Sequence, residues 1–348
     1  MFIKTLFLRK IPDFLIITTR KCTTNQNLQP EEATQRILKV AIIGMPNAGK
    51  STFINNLVER RVCPTSSKVH TTKNRASAIF TEGDAQIVFM DTPGLINDRE
   101  MKKFNLPYSY MFDSRTTMDK ADIIGVIHDV GNPYTREKLD IKIIKSLHKH
   151  KKQPSFLVLN KIDLLKSKRK LLDVIRLVTE GALRGKKMLQ ENLEDNSEKE
   201  EIKNESDHKG WRFFTEIFMV SSLTGDGLSD IKNFLSLQAK PGKWLFPEEE
   251  FTDQPPETII INTVKATLLN FLPQEMPYLL KVELEHFEMN PDGVIICTVL
   301  VRCKTDRIVK YVTGEQDGKV RQITRSVQEN LQNTFRNFVR INIVVQKE

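Results

Sequence analysis

Short apolar runs set the rhythm of the first two thirds of the chain. Ile37–Ile43, Ala85–Met90, Asp122–His128, Ser155–Leu159 and Ile217–Val220 are four to seven residues long and rich in β-branched and aromatic side chains. Each reads as a strand, and Ile37–Ile43 as a buried one. Phe53, Ile54, Leu57 and Val58 fall on one face of a helix, and Leu164–Leu189 reads as a basic amphipathic helix. Strands alternating with helices predict an α/β doubly wound parallel sheet. The last third changes rhythm. Ile260, Val264, Leu268, Leu269 and Phe271 form a helical face, Leu280, Val282 and Leu284 alternate as in a half-buried strand, and Asn290-Pro-Asp-Gly293 is a turn before a strand at Val294–Val301. A glycine loop at Gly314–Gly318 then opens a long helix with Val320, Ile323, Val327, Leu331, Phe335 and Phe338 inward, and Arg340–Gln346 is a final strand. That is a small α+β domain.

Two segments interrupt the pattern. Residues 191–209 carry eight acids, three lysines and almost nothing apolar, which predicts a disordered, solvated insertion at about 190–210. Pro241, Pro247, Pro255 and Pro256 with the acid run Glu248–Glu250 read as a linker. The expected organisation is therefore an extension over 1–35, a first domain over 36–240, a linker over 241–256 and a second domain over 257–348. The 348 residues suit about two domains.

Charge adds an address. Of the net charge of +9, residues 1–29 hold +4: Lys4, Arg9, Lys10, Arg20 and Lys21 against Asp13. Basic, acid-poor and amphipathic is the composition of a mitochondrial transit peptide, so the matrix is the expected location. No apolar run approaches the ~20 residues of a membrane span, and only peripheral contact with the inner membrane is compatible with the sequence. The four cysteines include no Cys-x-x-Cys pair, and the six histidines show no ligand spacing. Disulfide scaffolds and zinc ribbons are thereby disfavoured.

Four of the strands run into chemistry. The first enters Gly44-Met-Pro-Asn-Ala-Gly-Lys-Ser51 and then a helix, the context of a phosphate-binding P-loop. Backbone N–H groups over Gly44, Asn47, Ala48, Gly49, Lys50, Ser51 and Thr52 would wrap phosphates at a helix N-terminus. Lys50 would reach the β- and γ-phosphates, and Ser51 would supply an oxygen to Mg²⁺. The second strand ends in Asp91-Thr92-Pro93-Gly94, where Asp91 would hold the Mg²⁺ shell and the Gly94 N–H would approach a γ-phosphate. The third ends in Asn160-Lys161-Ile162-Asp163. A carboxylate at Asp163 accepts from N1–H and the exocyclic amine of guanine, whereas adenine would leave it unpaired. Asn160 would tie this loop to the P-loop, with the Lys161 stem over the base. The fourth ends in Ser221-Ser222, where a backbone N–H at Ser222 would meet guanine O6. GTP and GDP are the expected ligands. The strand Asp122–His128 carries no readable motif.

The order of these motifs, with Ser67-Lys-Val-His-Thr-Thr-Lys-Asn-Arg75 between the first two, resembles the Era-type GTPases. His70 stands where that family usually has Gln. The resemblance implies that Thr72 is the switch residue that ligates Mg²⁺ in the GTP state. It also implies that Asn47 holds a K⁺ ion, placing Lys50, Thr72, Gly94 and Asn47 in the catalytic set. Leu95 stands where Ras-like proteins place a water-orienting Gln, so slow intrinsic turnover is expected. The last domain is similar to the type-II KH domain of the same family, which clamps about four single-stranded nucleotides with a G-x-x-G loop. Gly314 and the basic Lys319, Arg321 and Arg325 would carry RNA. Here the loop departs from the pattern: Asp317 replaces the second Gly, and Glu315 adds another acid. The function implied is a monomeric mitochondrial GTPase that binds small-subunit rRNA and assists assembly of the small ribosomal subunit. The alternative is a GTP-dependent module docking a protein or membrane partner through a KH-like domain that no longer binds RNA. An ATPase or kinase is disfavoured by Asp163.

Overall fold

The structure, a computed structural model, describes residues 35–63, 77–91, 117–165, 167, 169–184, 186–187, 209–273 and 276–348. The N-terminal extension read as a transit peptide and residues 188–208 of the acidic insertion lie outside these. Residues 35–348 cluster as one unit.

The first sheet is built from β1 (Arg36–Gly44), β2 (Ser77–Glu82), β3 (Ala85–Asp91), β4 (Ile123–Asp129), β5 (Ser155–Asn160) and β8 (Phe214–Val220). Their spatial order is β2-β3-β1-β4-β5-β8. All neighbours run parallel except β2, which returns antiparallel on β3. Helices cover both faces because the central strands are apolar on both. On one face, α1 (Lys50–Leu57) and α4 (Leu228–Gln238) pack through Phe53, Ile54, Ile231 and Leu235. On the other, α2 (Ile141–Lys149) and α3 (Arg169–Val178) pack through Ile143, Ile144, Leu147, Leu171 and Val174. Parallel strands place their carboxyl ends, and so all four motifs, along one edge.

The expected helix over 164–189 is shorter than its periodicity suggested. It is α3 alone, closed by Glu180 and Gly181 at positive φ and followed by a small hairpin, β6 (Ala182–Leu183) and β7 (Lys186–Lys187). The stretch expected as a linker is packed. β9 (Lys240–Pro241) pairs antiparallel with β1. The Trp244 indole donates to the Asp84 carbonyl at 3.2 Å, and the N–H groups of Leu245 and Phe246 donate to Gln86 Oε1 at 2.9 and 3.1 Å. Ser77 N–H donates to Asp253 at 2.8 Å. Prolines here fix a strap along the sheet edge rather than a tether.

The second domain runs α5 (Pro256–Phe271), β10 (Lys281–Met289), β11 (Ile295–Cys303), α6 (Asp306–Thr313), α7 (Gly318–Phe335) and β12 (Val339–Lys347). β11 pairs antiparallel with β10 and parallel with β12. Helix α6 was missed in the sequence. It is capped by Thr305, whose hydroxyl accepts from Ile308 N–H, and packs Ile308, Val309 and Val312 against the core, an apolar face on a helix of only eight residues between a strand and the glycine loop. Phe338 was wrongly placed on the long helix. That helix stops at Phe335, Arg336 takes φ 53°, and Phe338 is 58% exposed.

The two domains meet along α7. The Thr334 hydroxyl, fully buried, lies 2.7 Å from the Arg61 carbonyl. Arg336 donates to the Glu59 carbonyl at 3.3 Å, Arg61 to Asn330 Oδ1, and the Arg60 guanidinium sits 4.6 Å above the Phe251 ring. Burial there, together with the nearby Arg336 charge, pulls Arg60 below its ordinary pKa.

Candidate nucleotide site

The site assembles where β1, β4, β5 and β8 end. Gly49 caps α1 with φ 98°, a left-handed conformation that glycine adopts freely. A Cβ there would stand 2.3 Å from Asn160 Nδ2, and one on Gly44 would stand 2.6 Å from the Ile127 carbonyl. Both glycines are therefore demanded by packing as well as by a ligand. Lys50, 8% exposed, points back into the loop, its Nζ donating to the carbonyls of Gly44 and Met45 at 3.1 Å each. An ammonium held on the P-loop's own carbonyls beside a run of N–H groups fits a polyphosphate.

Asn160 is the joint between the loops. Its side chain is buried; Nδ2 donates to the Ala48 carbonyl at 2.8 Å, and Oδ1 accepts from Ser222 N–H at 2.9 Å. One amide thus links the phosphate loop to the base loop. The Ser222 N–H expected at guanine O6 is engaged by Asn160 instead. Asn56 Nδ2 donates to the Ser222 carbonyl, which fixes the same residue from α1. Asp163 Oδ1 accepts from the Ser221 hydroxyl at 2.6 Å, a contact that orients the carboxylate expected to read guanine.

Lys161 takes φ 66°, and its Nζ bridges the Asn47 carbonyl at 2.8 Å and Asp129 Oδ2 at 2.6 Å. Asp129 was missed from sequence. It ends β4, the strand without a motif, and the only hint was an acid at the carboxyl end of a central strand. Its other oxygen accepts from Gly131 N–H at 2.9 Å. Next to it His128 is buried and bonds the Arg136 carbonyl through Nε2 at 2.8 Å; burial holds it below the usual histidine pKa, against smaller upward pulls from that bond and from Asp129.

Asn47 has φ 61°. Ser51 and Thr52 open α1, half-buried at its N-terminus. Of Asp91 only the backbone is described, at the end of β3. Thr72, Thr92 and Gly94 lie outside the described residues. Ser51, on the first turn of α1, and Asp91, at the end of β3, are a hydroxyl and a carboxylate residue, the oxygen chemistry that suits Mg²⁺.

In the second domain, Gly314 has φ 75°, and a Cβ on it would stand 2.7 Å from Lys319 Cβ. Gln316 and Asp317 are both left-handed, and Gly318 is helical at φ −62°. Lys319 Nζ lies 4.0 Å above the Tyr311 ring and donates to the Tyr311 carbonyl at 3.3 Å. Arg321 and Arg325 are exposed one turn apart on α7.

The family model for 50S ribosome-binding GTPases matches residues 39–161. The mitochondrial GTPase Era of Danio rerio is 37% identical over 343 residues, covering 91% of this chain and 76% of that protein. The crystal structure of a variant Aquifex aeolicus Era bound to GDP·AlF4⁻ matches with a TM-score of 0.69 at 21% identity, over 90% of this chain and 94% of that one. A structure of Era with MgGDPNP and nucleotides 1506–1542 of 16S ribosomal RNA matches with a TM-score of 0.68 at 21% identity, with the same coverage.

Proposed function

The chain belongs to the Era family of GTPases, and on that premise we propose that it is a mitochondrial switch that holds small-subunit rRNA in the GTP state and releases it after hydrolysis. As a member of that family it binds GTP and GDP with Mg²⁺ and hydrolyses GTP. Lys50 and the P-loop N–H groups bind and orient the phosphates, and Asp163, held by Ser221, selects guanine. Ser51, Asp91 and Thr72 would hold Mg²⁺, which when bound offsets charge on the β- and γ-phosphate oxygens. Asn47 would hold K⁺ and so supply charge to the transition state; equal hydrolysis rates in K⁺ and Na⁺ would refute that role.

The observation that carries the RNA reading is a KH-like domain joined by buried contacts to a GTPase domain, in a family with a member solved on 16S rRNA. The matrix location rests on the basic N-terminal composition and on the mitochondrial relative. The test is affinity for the 3′ segment of mitochondrial small-subunit rRNA with a GTP analogue and with GDP. Tight, salt-sensitive binding favoured by the GTP analogue is expected. Absence of binding in both states would overturn the rRNA role.

The second reading, a GTP-dependent protein- or membrane-docking module, is favoured by one feature. The loop carries Glu315 and Asp317, two of its non-glycine residues are left-handed, and Lys319 is already engaged by Tyr311. Partners that survive RNase treatment would support it.

A further inference from the structure

We propose that the α2 edge of the GTPase domain is a second polyanion-binding surface, fitted to an RNA phosphate backbone and separate from the KH-like domain. The proposal rests on the RNA reading above. Residues 138–152 hold six lysines against Asp140 alone, a net of +5, and no acid occurs between Asp140 and Asp163. The single acid is occupied, because Asp140 caps α2 and accepts from Lys142 N–H at 2.9 Å.

The fold gathers these charges on one side. Ile143, Ile144 and Leu147 turn into the core, which leaves Lys142, Lys145 and Lys149 along the outer face of α2, with Lys151 and Lys152 exposed in the turn that follows. At ~1.5 Å per residue, Lys142 to Lys149 span roughly 10 Å of α2, the reach of a few consecutive phosphates, and the turn continues the row to Lys152. A second strand of chain widens the patch. The Lys209 carbonyl accepts from Leu139 N–H at 2.9 Å, and Trp211 packs edge-on against His148 at 4.9 Å, so Lys209 and Arg212 flank the helix. Lys151 Nζ lies 4.8 Å above the Phe213 ring.

Several surface cations elsewhere are paired, as in Arg36–Asp84, Arg184–Glu216 and Lys232–Glu59. Lys145, Lys149, Lys151 and Lys152 form no ion pair among the described residues. Favourable interaction with the helix dipole accounts for Lys149 near the C-terminus but not for Lys145. The apolar side of α2 is buried, so the helix has nothing to insert into a bilayer, and a membrane-surface helix needs that face. Lysines act as point charges on phosphates and carry no base readout.

The experiment uses the full chain with Lys145, Lys149 and Lys152 changed together to Gln, and two RNA probes: the rRNA 3′ segment and a scrambled RNA of equal length. Affinity should fall tenfold or more for both probes alike. The slope of log K against log salt should flatten by about 2, at ~0.7 per lost phosphate contact, with GTP hydrolysis in the absence of RNA unchanged. Unchanged affinity and slope, while the parent protein binds, would overturn this surface and leave the rRNA reading standing. The converse separation comes from Arg321→Gln with Arg325→Gln, which should weaken the rRNA probe more than the scrambled one. A parent protein that binds neither RNA, or binds only vesicles containing anionic lipid, would overturn both.

Discussion

Asn160→Ala should break the communication between phosphate loop and base loop. The side chain is 1% exposed and makes two bonds, to the Ala48 carbonyl at 2.8 Å and from Ser222 N–H at 2.9 Å. Its removal strands two backbone groups in residues that are themselves 2% and 3% exposed. An unsatisfied buried group costs about 1–3 kcal/mol, so the pair costs on the order of 2–4 kcal/mol once some water enters the vacated volume. If the clamp mainly preorganises the nucleotide site, this appears as weaker GDP binding, by ~30- to 1000-fold at about 1.4 kcal/mol per decade. Fluorescence titration with labelled GDP reads the affinity, and thermal unfolding of the same samples reads the share that falls on stability. Asn160→Asp is the informative companion. It keeps the acceptor for Ser222 N–H but sets an oxygen against the Ala48 carbonyl, so it should bind GDP no better than the alanine variant. An alanine variant that melts early yet binds GDP within threefold of the parent would refute the clamp and leave Asn160 a purely structural residue.

Gly49→Ala should abolish measurable GDP binding, since its Cβ meets Asn160 Nδ2 at 2.3 Å in a left-handed backbone; adding Asn160→Ala removes that clash, so the two losses of thermal stability should be less than additive in a double-mutant cycle. Asp163→Asn should move preference from GTP towards xanthosine triphosphate in competition binding, and unchanged GTP selectivity would remove Asp163 from base recognition. Thr334→Val deletes the interdomain bond to the Arg61 carbonyl and should cost about 1 kcal/mol, or ~2–4 °C in Tm by scanning calorimetry. His128 is held neutral by burial, with its folded pKa below the unfolded ~6.5, so its contribution to stability is complete above that value and fades as pH falls beneath it. The urea midpoint should therefore drop between pH 7 and pH 5.5, and the drop should shrink in His128→Gln.

Local signals settled much of this protein. Ile37–Ile43 is apolar on both faces, runs into a glycine loop and is followed by a helical face, so it could only be a central parallel strand delivering a phosphate site. Asp163 pointed to guanine because the hydrogen-bond pattern of that base suits a carboxylate, and membership of a GTPase family agrees with guanine. Such features depend on neighbours within a few residues, and sequence carries them in full. Tertiary structure decided what depends on distant residues. Asp129 matters only because β4 lies beside β5 and sets its carboxylate on Lys161. The Ser222 N–H is engaged only because Asn160 arrives from 62 residues upstream. Residues 241–256 look like a tether until Gln86 and Asp84 offer partners along the sheet edge. Helix α6 is only eight residues long, and its face of Ile308, Val309 and Val312 gains meaning from the core it meets. The lysines of α2 become a surface only when Ile143, Ile144 and Leu147 commit the other face to the core and the 209–213 segment is laid alongside. Periodicity reports which residues are buried; which partners share that burial is fixed by chain crossings that no local pattern encodes.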